Sequence, residues 1–387
     1  MDEIQRSDTA AADALDEATP QAEMPVSPSA APAVGRRIAG LDAARAVAII
    51  GMVMVHFGPT DGDPFTWTDH FYRLSHGRAA LLFVLLAGIG VTLLAGGAAR
   101  AKWRRGWPRL AARVAVLLPL GLALELLRDV RVLVILHYYA LYFLLAAPAV
   151  FLRDRLLLAA AGVVAVAGPV GYWLVSTWRP AWMARYGSDV TMDTPLEIVR
   201  DLLLTGSYPA VVWMAPVLFG MWLGRRRFDD AATRGAMLLG GALAVGGAAV
   251  LDAGTPDAGW WQLASTEPHN QMIAWLVGGM GSAVAVLALC LLACDRMGRW
   301  MWPLVAMGQL ALTVYVGHLL LMAAVGGLLP ADRVGPALVY VASFTIAAAL
   351  FAMVWRRWFT RGPLEALLHG FGAGLGRLLY GARDGDI

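Results

Sequence analysis

The chain has 387 residues, of which 59% are hydrophobic and only 15% charged, and its formal net charge is +3. Soluble domains are about 45–50% apolar and about 25% charged, so this chain has too little charge to cover the two or three soluble domains that its length would make. The composition excludes a soluble enzyme, a nucleic-acid-binding protein and a disordered scaffold, and it predicts an all-α, polytopic integral-membrane helical bundle.

The first 35 residues differ in composition from the rest. They hold seven acidic residues against one basic residue, Arg6, and Ala and Pro fill most of the remainder. Such a segment buries too little apolar surface to offset the entropy of ordering, so we predict a disordered tail over 1–35. It lacks the basic start and apolar core of a cleaved signal peptide. A membrane domain is predicted over 36–360 and a C-terminal tail over 361–387.

Ten apolar runs follow the tail, each close to the roughly 20 residues that a helix needs to cross a bilayer. The run at 206–224 is the weakest, because Pro209 and Pro216 interrupt it. Spans tolerate such prolines where neighbouring groups satisfy the freed backbone. The ten runs are 38–57, 78–97, 110–127, 132–151, 156–176, 206–224, 235–251, 271–293, 304–326 and 336–355.

The basic residues between these runs predict the orientation of the bundle. Most of them fall in the N-terminal tail, in every second loop and in the C-terminal tail, with the densest groups at 99–110 and 225–227. The positive-inside rule places this set in the cytoplasm. Both termini are then cytoplasmic, which agrees with an even number of spans.

Six of the seven histidines map to the opposite, outer side of this topology. Ionisable residues at membrane depth usually face a bundle interior or a wet cavity, and imidazole suits acid–base chemistry near neutral pH. Each histidine alone could equally cap a helix or complete an interfacial hydrogen bond. No pair has i, i+4 spacing on one helix and no HExxH motif occurs, so no metal is expected. The six are His56, His70, His76, His137, His269 and His318.

The first span carries three polar residues on one helical face. Asp42, Arg45 and His56 fall within about 60° of one another at about 100° per residue. Asp42 and Arg45 have the i, i+3 spacing of an ion pair, and His56 lies roughly 16 Å further along the axis. The pair could simply anchor the helix end, or the face could form a polar path between the two sides. Arg113 and Glu125 on the third span do not share a face, and no role is predicted for them.

The second span begins with a cation beside a histidine. Arg78 follows His76 by two residues, and a neighbouring cation favours the neutral form of imidazole. This pair suits a catalytic base and equally suits an interfacial anchor. Gly88 and Gly90 further along are expected to permit close helix approach.

Several short motifs, taken together in their order, resemble those of the bacterial YeiB-like membrane proteins. The resemblance covers about residues 36 to 370. The motifs are Leu41-Asp42-x-x-Arg45, Gly77-Arg78-x-x-x-Leu82-Phe83-x-Leu85-Leu86-x-Gly88, Thr205-Gly206-x-Tyr208-Pro209, Gly308-x-x-Ala311-Leu312-Thr313-x-Tyr315-x-x-His318 and Gly362-Pro363-Leu364-Glu365.

That family is similar to the heparan-α-glucosaminide N-acetyltransferases and, more distantly, to membrane O-acyltransferases that modify bacterial polysaccharides. The resemblance implies about ten helices, acyl-CoA (acetyl-CoA included) as donor, and a histidine on the far side of the membrane. The resemblance implies that either His70 or His76 is the counterpart of the family's loop histidine. His56 stands where the heparan-type enzymes often have Asn, and is closer to the O-acyltransferase pattern.

The sequence therefore predicts an acyltransferase of the bacterial inner membrane. His76, His56 or His70 would act as base or acyl carrier, with His137, His269 and His318 as further candidates. Asp42, Arg45, Arg78, Arg104 and Arg105 would bind the donor. The implied partners are membrane lipid, an envelope glycan or lipid acceptor and, optionally, a second copy of the chain, but no nucleic acid. The alternatives are a proton-coupled transporter of a small polar solute and a non-catalytic scaffold or sensor.

Overall fold

The computed structural model of the protein describes residues 37–58, 75–95, 100–127, 133–183, 194–256, 258–325 and 334–380. The tail predicted over 1–35 lies outside these residues. Contacts divide the chain into two units, Met1–Ile38 and Ala39–Ile387, and all the described helices belong to the second. The described part of this second unit is helical and contains no strand.

Thirteen α-helices make up the described ranges of this unit. Short 3₁₀ segments and one π-helical turn, Asp201–Thr205, connect several of them. The helices are α1 (Ala39–Phe57), α2 (Arg78–Leu94), α3 (Arg100–Glu125), α4 (Leu136–Ala146), α5 (Asp154–Trp178), α6 (Pro195–Arg200), α7 (Ala210–Leu223), α8 (Ala231–Gly254), α9 (Ile273–Met297), α10 (Trp302–Gln309), α11 (Ala311–Val325), α12 (Val334–Trp358) and α13 (Pro363–Tyr380).

Many of these helices are long and apolar enough to indicate a membrane protein. A further crossing results if Pro195–Thr205 and Ala210–Leu223, bent by 56°, count as one span. Every predicted run overlaps a helix, but three of those helices have only 10–17 residues, so the number of ten spans is not confirmed. Among the described residues, six helical segments are long and apolar enough to cross a membrane: Ala39–Phe57, Gly106–Glu125, Asp154–Trp178, Ala231–Gly254, Ile273–Gln309 and Gly335–Trp358.

Helix α1 occupies the interior of the bundle. It packs against α2, α9, α10 and α12, and 67% of its span is buried, against 17% for α5 and for α8. A helix covered on most sides directs its polar side chains at other helices instead of at lipid. The polar residues of α1 therefore face the protein interior, while α5 and α8 present apolar faces outward.

Helices α2 and α7 cross at a very short distance. A Cβ added to Gly88 would lie 2.1 Å from the carbonyl oxygen of Val217, and one added to Gly220 would lie 2.2 Å from that of Leu85. Small residues allow such backbone contact between helices in membranes. The prediction for Gly88 is confirmed, whereas that for Gly90 is wrong, because no described atom lies within 4 Å of its added Cβ.

This difference makes Gly88 and Gly90 a matched pair for a stability test. We expect Gly88→Ala to destabilise the protein by about 1–3 kcal/mol, since the methyl group forces α2 and α7 apart. Gly90→Ala should leave stability unchanged or slightly raised, because Ala favours a helix. Unfolding in mixed detergent micelles measures both. Equal effects of the two substitutions would contradict the close crossing.

The segment predicted as a C-terminal tail contains a helix that packs on the bundle. Helix α13 lies against α3, and a Cβ on Gly372 would come 3.3 Å from the Cα of Arg109. Exposed apolar residues such as Phe371 and Leu378 line its other side. The helix therefore brings residues after 361 against the start of α3.

Candidate active site

Two histidines from distant parts of the sequence meet where α1 ends. Nδ1 of His56 lies 3.0 Å from Nε2 of His318 on α11, and the two rings stack with centroids 5.2 Å apart. A contact of this length needs one ring to donate and the other to accept. The pair can therefore hold one proton between two rings, which is the basis of acid–base chemistry.

Two more histidines lie close to this pair. His56 is within electrostatic range of His76 and His269 as well as His318. Because the four come from α1, the start of α2, the loop before α9, and α11, only the folded bundle assembles them. We call His56, His76, His269 and His318 the histidine cluster.

The loop that holds His269 has an unusual backbone. His269 and Gln271 have φ values of 60° and 64°, a region that residues other than Gly rarely adopt and that clusters at functional sites. The Gln271 amide fixes the loop, since its Nε2 donates to the carbonyls of Ser207 and His269, each at 3.1 Å, and its Oε1 accepts from Trp213 Nε1 at 2.7 Å.

Aromatic rings surround His269. Its ring centroid lies 5.6 Å from that of Tyr208, 6.1 Å from Trp213 and 5.8 Å from Trp275. Gly77, with φ 70°, brings the start of α2 against the Trp275 indole, where a Cβ would lie 2.9 Å from Cζ2. This packing fixes the backbone directly after His76 against the Trp275 indole.

Burial, and then the nearby His76, lowers the pKa of His269 from 6.5 to about 4. Above pH 6.5 the folded and unfolded states both keep this imidazole neutral. Below that pH the unfolded state binds a proton that the folded state does not. We therefore expect a fall to pH 4 to remove, through His269, as much as about 3 kcal/mol of unfolding free energy.

The substitution His269→Asn tests this pH dependence. Asn tolerates a positive φ better than most residues and does not titrate. The difference in unfolding free energy between wild type and variant should thus change between pH 7 and pH 4.5, with the wild type losing more. Parallel pH curves would contradict a buried, neutral His269.

The opposite end of α1 carries an ion pair. Arg45 Nη1 donates to Asp42 Oδ1 at 2.5 Å, so the predicted i, i+3 pair is confirmed, and the Asp42 side chain is buried. Helix α10 presses on this turn, because a Cβ on Gly308 would overlap the Asp42 carbonyl oxygen. Asp42 is thus enclosed between α1 and α10, whereas Arg45 stays partly exposed.

Further basic residues gather around Arg113, which lies near Arg45. Arg113 on α3 is within electrostatic range of Arg45 and Arg109, and its Nη1 donates to the Arg109 carbonyl at 3.3 Å. His369 on α13 lies near Arg109, Arg113 and Arg361; partial burial first, and then these charges, lower its pKa. We call Arg45, Arg109 and Arg113 the arginine cluster. Guanidinium groups in such an arrangement suit phosphate recognition.

Buried and partly buried aromatic side chains lie between the two clusters. Tyr139 is within electrostatic range of Arg45, and its ring centroid is 5.5 Å from that of Phe83. Phe83 in turn stacks on Tyr315 at 6.2 Å, and Tyr315 contacts His318 at 5.0 Å. Neighbouring rings thus link the surroundings of Arg45 to His318, and we call Tyr139, Phe83 and Tyr315 the aromatic layer.

Other predicted site residues lie elsewhere. His137 is beside Glu125, with Nε2 3.9 Å from Oε1, and against the ring of Tyr138; the structure does not bring it to the histidine cluster. Arg78 begins α2, two residues after His76, and the next residue, Ala79, packs against Gly51 on α1. His70 lies outside the described residues, as do the side chains of Arg104 and Arg105, which belong to α3.

The sequence assigned no role to Arg109, Arg113 or His369. A signal was present for Arg113, since a charged residue inside an apolar helix is costly and usually functional. Its helix alone could not reveal its neighbours, because Arg45 belongs to α1.

Two family models match the chain. Residues 37–250 match the model described as heparan-alpha-glucosaminide N-acetyltransferase, catalytic. Residues 222–373 match the model described as protein of unknown function (DUF418). The first match contains His56, His76 and the arginine cluster, and the second contains His269 and His318. No curated protein matches the chain.

Proposed function

Because the chain belongs to the family of heparan-alpha-glucosaminide N-acetyltransferase catalytic domains, as a YeiB-like relative, we propose that it is an integral-membrane acyltransferase. The donor is acyl-CoA, with acetyl-CoA as the first candidate. The acceptor is a hydroxyl or amine of a cell-envelope glycan or lipid.

The observation that carries this proposal is the placement of two unlike groups on one helix. α1 presents Arg45 with the arginine cluster near its start and His56, paired with His318, near its end. Eleven residues of helix separate them by roughly 16 Å. A CoA thioester has its phosphates at one end of a flexible arm and its reactive carbonyl at the other. If the arginines hold the phosphates, the flexible arm can extend along the aromatic layer and place the thioester beside the histidines.

The histidine pair can supply the base for transfer. We assign the N–H of His318 to Nδ1, the ring nitrogen that does not face His56. Nε2 of His318 then accepts from Nδ1–H of His56, which leaves a lone pair on His56 Nε2.

The proposed reaction proceeds from that lone pair. His56 takes the proton of the acceptor hydroxyl or amine while the acceptor oxygen or nitrogen bonds to the thioester carbonyl carbon. The C–S bond breaks, and the leaving CoA thiolate takes the proton back from the His56 imidazolium. The products are the acylated acceptor and free CoA.

The protein would also have a defined orientation in the membrane. The arginine cluster would face the cytoplasm of a bacterial inner membrane, with both termini on that side, as the distribution of basic residues favours. The histidine cluster would then face the envelope, where a glycan or lipid acceptor is available. Membrane lipid surrounds the outward faces of α5 and α8.

One feature favours a second candidate, a proton-coupled transporter of a small polar solute. Broken spans and buried ionisable groups mark substrate sites in transporters, and Pro195–Thr205 with Ala210–Leu223 forms such a broken pair. A transporter would take up solute under a pH gradient and would release no CoA.

The test is turnover of labelled acetyl-CoA by the purified protein in nanodiscs, with and without a cell-envelope extract. An acyltransferase should release free CoA and transfer label to the extract. Folded protein that neither binds acetyl-CoA nor releases CoA from several chain lengths would overturn the proposal.

A further inference from the structure

The helix that carries His318 begins at a break in the chain. α10 ends at Gln309, Leu310 turns with φ −107° and ψ 32°, and α11 begins at Ala311. The first N–H groups of a helix have no partner within it. At α11 a side chain from far along the sequence supplies the partner: Glu365 Oε1 accepts from the N–H of Leu312 at 2.7 Å and of Thr313 at 3.1 Å.

The contact is more than a single cap. Glu365 Oε2 accepts from the Thr313 hydroxyl at 2.6 Å, and that hydroxyl accepts from the N–H of Leu364 at 3.2 Å. A Cβ on Gly362 would lie 2.1 Å from Glu365 Oε2 and 2.9 Å from Thr313 Oγ1. Only glycine therefore lets this segment approach the helix end so closely, and both carboxylate oxygens have partners.

Helix α11 transmits the position of this end to the histidine cluster. His318 lies six residues beyond Leu312, or about 9 Å along a stiff helix, and the His318 side chain is fully buried against His56. Between them, the Tyr315 hydroxyl accepts from the N–H of Ile135 at 3.2 Å. A tilt or register shift at the first turn of α11 would move His318 relative to His56.

We propose that Glu365 is a positioning residue: by holding the start of α11, it sets the contact between His318 and His56. Its role in turnover rests on the proposed acyl transfer, whereas its role in the position of His318 does not. The segment after the last span thereby controls the geometry of the histidine pair at the opposite end of the bundle.

The variant Glu365→Ala removes this contact, and the chain offers a matched control. Asp230 caps α8 with the same chemistry, since its Oδ2 accepts from the N–H of Thr233 at 2.9 Å and from its hydroxyl at 2.8 Å. Helix α8 carries no residue of either cluster. Asp230→Ala therefore reports what the loss of a carboxylate cap does to the protein in general.

The first readout does not depend on acyl transfer. Diethyl pyrocarbonate modifies accessible neutral imidazoles, and mass spectrometry locates the label. We expect Glu365→Ala to speed modification of His318 by about fivefold or more, because local opening exposes it. Modification of His137, which is equally buried, should stay at the wild-type rate. Asp230→Ala should change neither rate.

The second readout is kinetic. Glu365→Ala should lower kcat about ten- to hundredfold, the order that a misplaced reacting group costs, with an unchanged KM for acetyl-CoA. Glu365→Gln, which still offers a carbonyl oxygen to both N–H groups, should restore most of kcat, and it serves as the folded variant if Glu365→Ala does not fold. Glu365→Asp, with a shorter side chain, should not restore it.

The outcomes separate the two proposals. Unchanged His318 modification in folded Glu365→Ala would overturn the positioning role, as would equal effects of Asp230→Ala. If Glu365→Ala speeds the modification of His318 but the wild-type protein releases no CoA, the positioning role is supported and the acyltransferase proposal fails.

Discussion

Replacement of His56 by Ala is expected to lower kcat for acyl transfer by about 10²–10⁴-fold, the contribution of a positioned general base. The His56–His318 contact at 3.0 Å makes the two residues one unit. His318→Ala should therefore lower kcat as well, and the double variant should be little worse than the more damaging single one, because residues that act together are not additive. CoA release from acetyl-CoA measures all three.

His137→Ala is the control for the loss of a buried imidazole. Its side chain is as fully buried as that of His318, yet it contacts Glu125 and Tyr138. Its removal should lower stability and leave kcat within about threefold of wild type, because its described side-chain contacts are with Glu125 and Tyr138 and not with the proposed base. Multiplicative losses for His56 and His318, or a comparable loss for His137, would contradict the paired role.

Local sequence patterns predicted the helices well. The run at 38–57 became Ala39–Phe57, and the run at 336–355 lies within Val334–Trp358, because an apolar stretch of that length has few other ways to satisfy its backbone in a membrane. The run at 304–326 instead contains the break at Leu310. The Glu365 cap that accompanies it is 52 or 53 residues away, so no local pattern could reveal the break.

The candidate site was predictable only in part, for the same reason. Spacing on α1 placed Asp42, Arg45 and His56 on one face, and the structure confirms the first pair. The partner of His56 is 262 residues away. Arg113 was assigned no role because only the packing of α3 beside α1 brings it to Arg45. Pairings between helices depend on tertiary packing and not on the periodicity of one helix.

Arg113→Gln is expected to raise the KM for acetyl-CoA by about ten- to hundredfold, the effect of losing a charge-assisted hydrogen bond to phosphate. kcat at saturating donor should change little, because the histidine pair is untouched. Arg377→Gln, on the exposed last turn of α13, is the control for a lost cation and should leave KM unchanged.

A donor analogue tests the phosphate contact directly. Acetyl-dephospho-CoA lacks the 3′-phosphate and should bind wild type more weakly than acetyl-CoA does. If Arg113 contacts that phosphate, Arg113→Gln should bind the two donors about equally. If it contacts the pyrophosphate, the variant should lose affinity for both by the same factor. Wild-type KM values for both donors in Arg113→Gln would contradict any role in donor binding.

The stability of the donor-free protein separates a binding arginine from a structural one. Arg113 lies near Arg45 and Arg109, and among the residues that the structure describes no carboxylate forms an ion pair with it. Its charge is then repelled until an anion arrives. Arg113→Gln should therefore unfold at a higher temperature than wild type without donor, by a few degrees for about 1 kcal/mol. Saturating acetyl-CoA should stabilise the wild type, by about 2.7 kcal/mol at 100 times Kd, and the variant much less at that concentration. If Arg113 instead had a structural role, Arg113→Gln would be less stable than wild type both with and without acetyl-CoA. A residue that serves ligand binding at the expense of stability gives the opposite result, because its removal stabilises the donor-free protein.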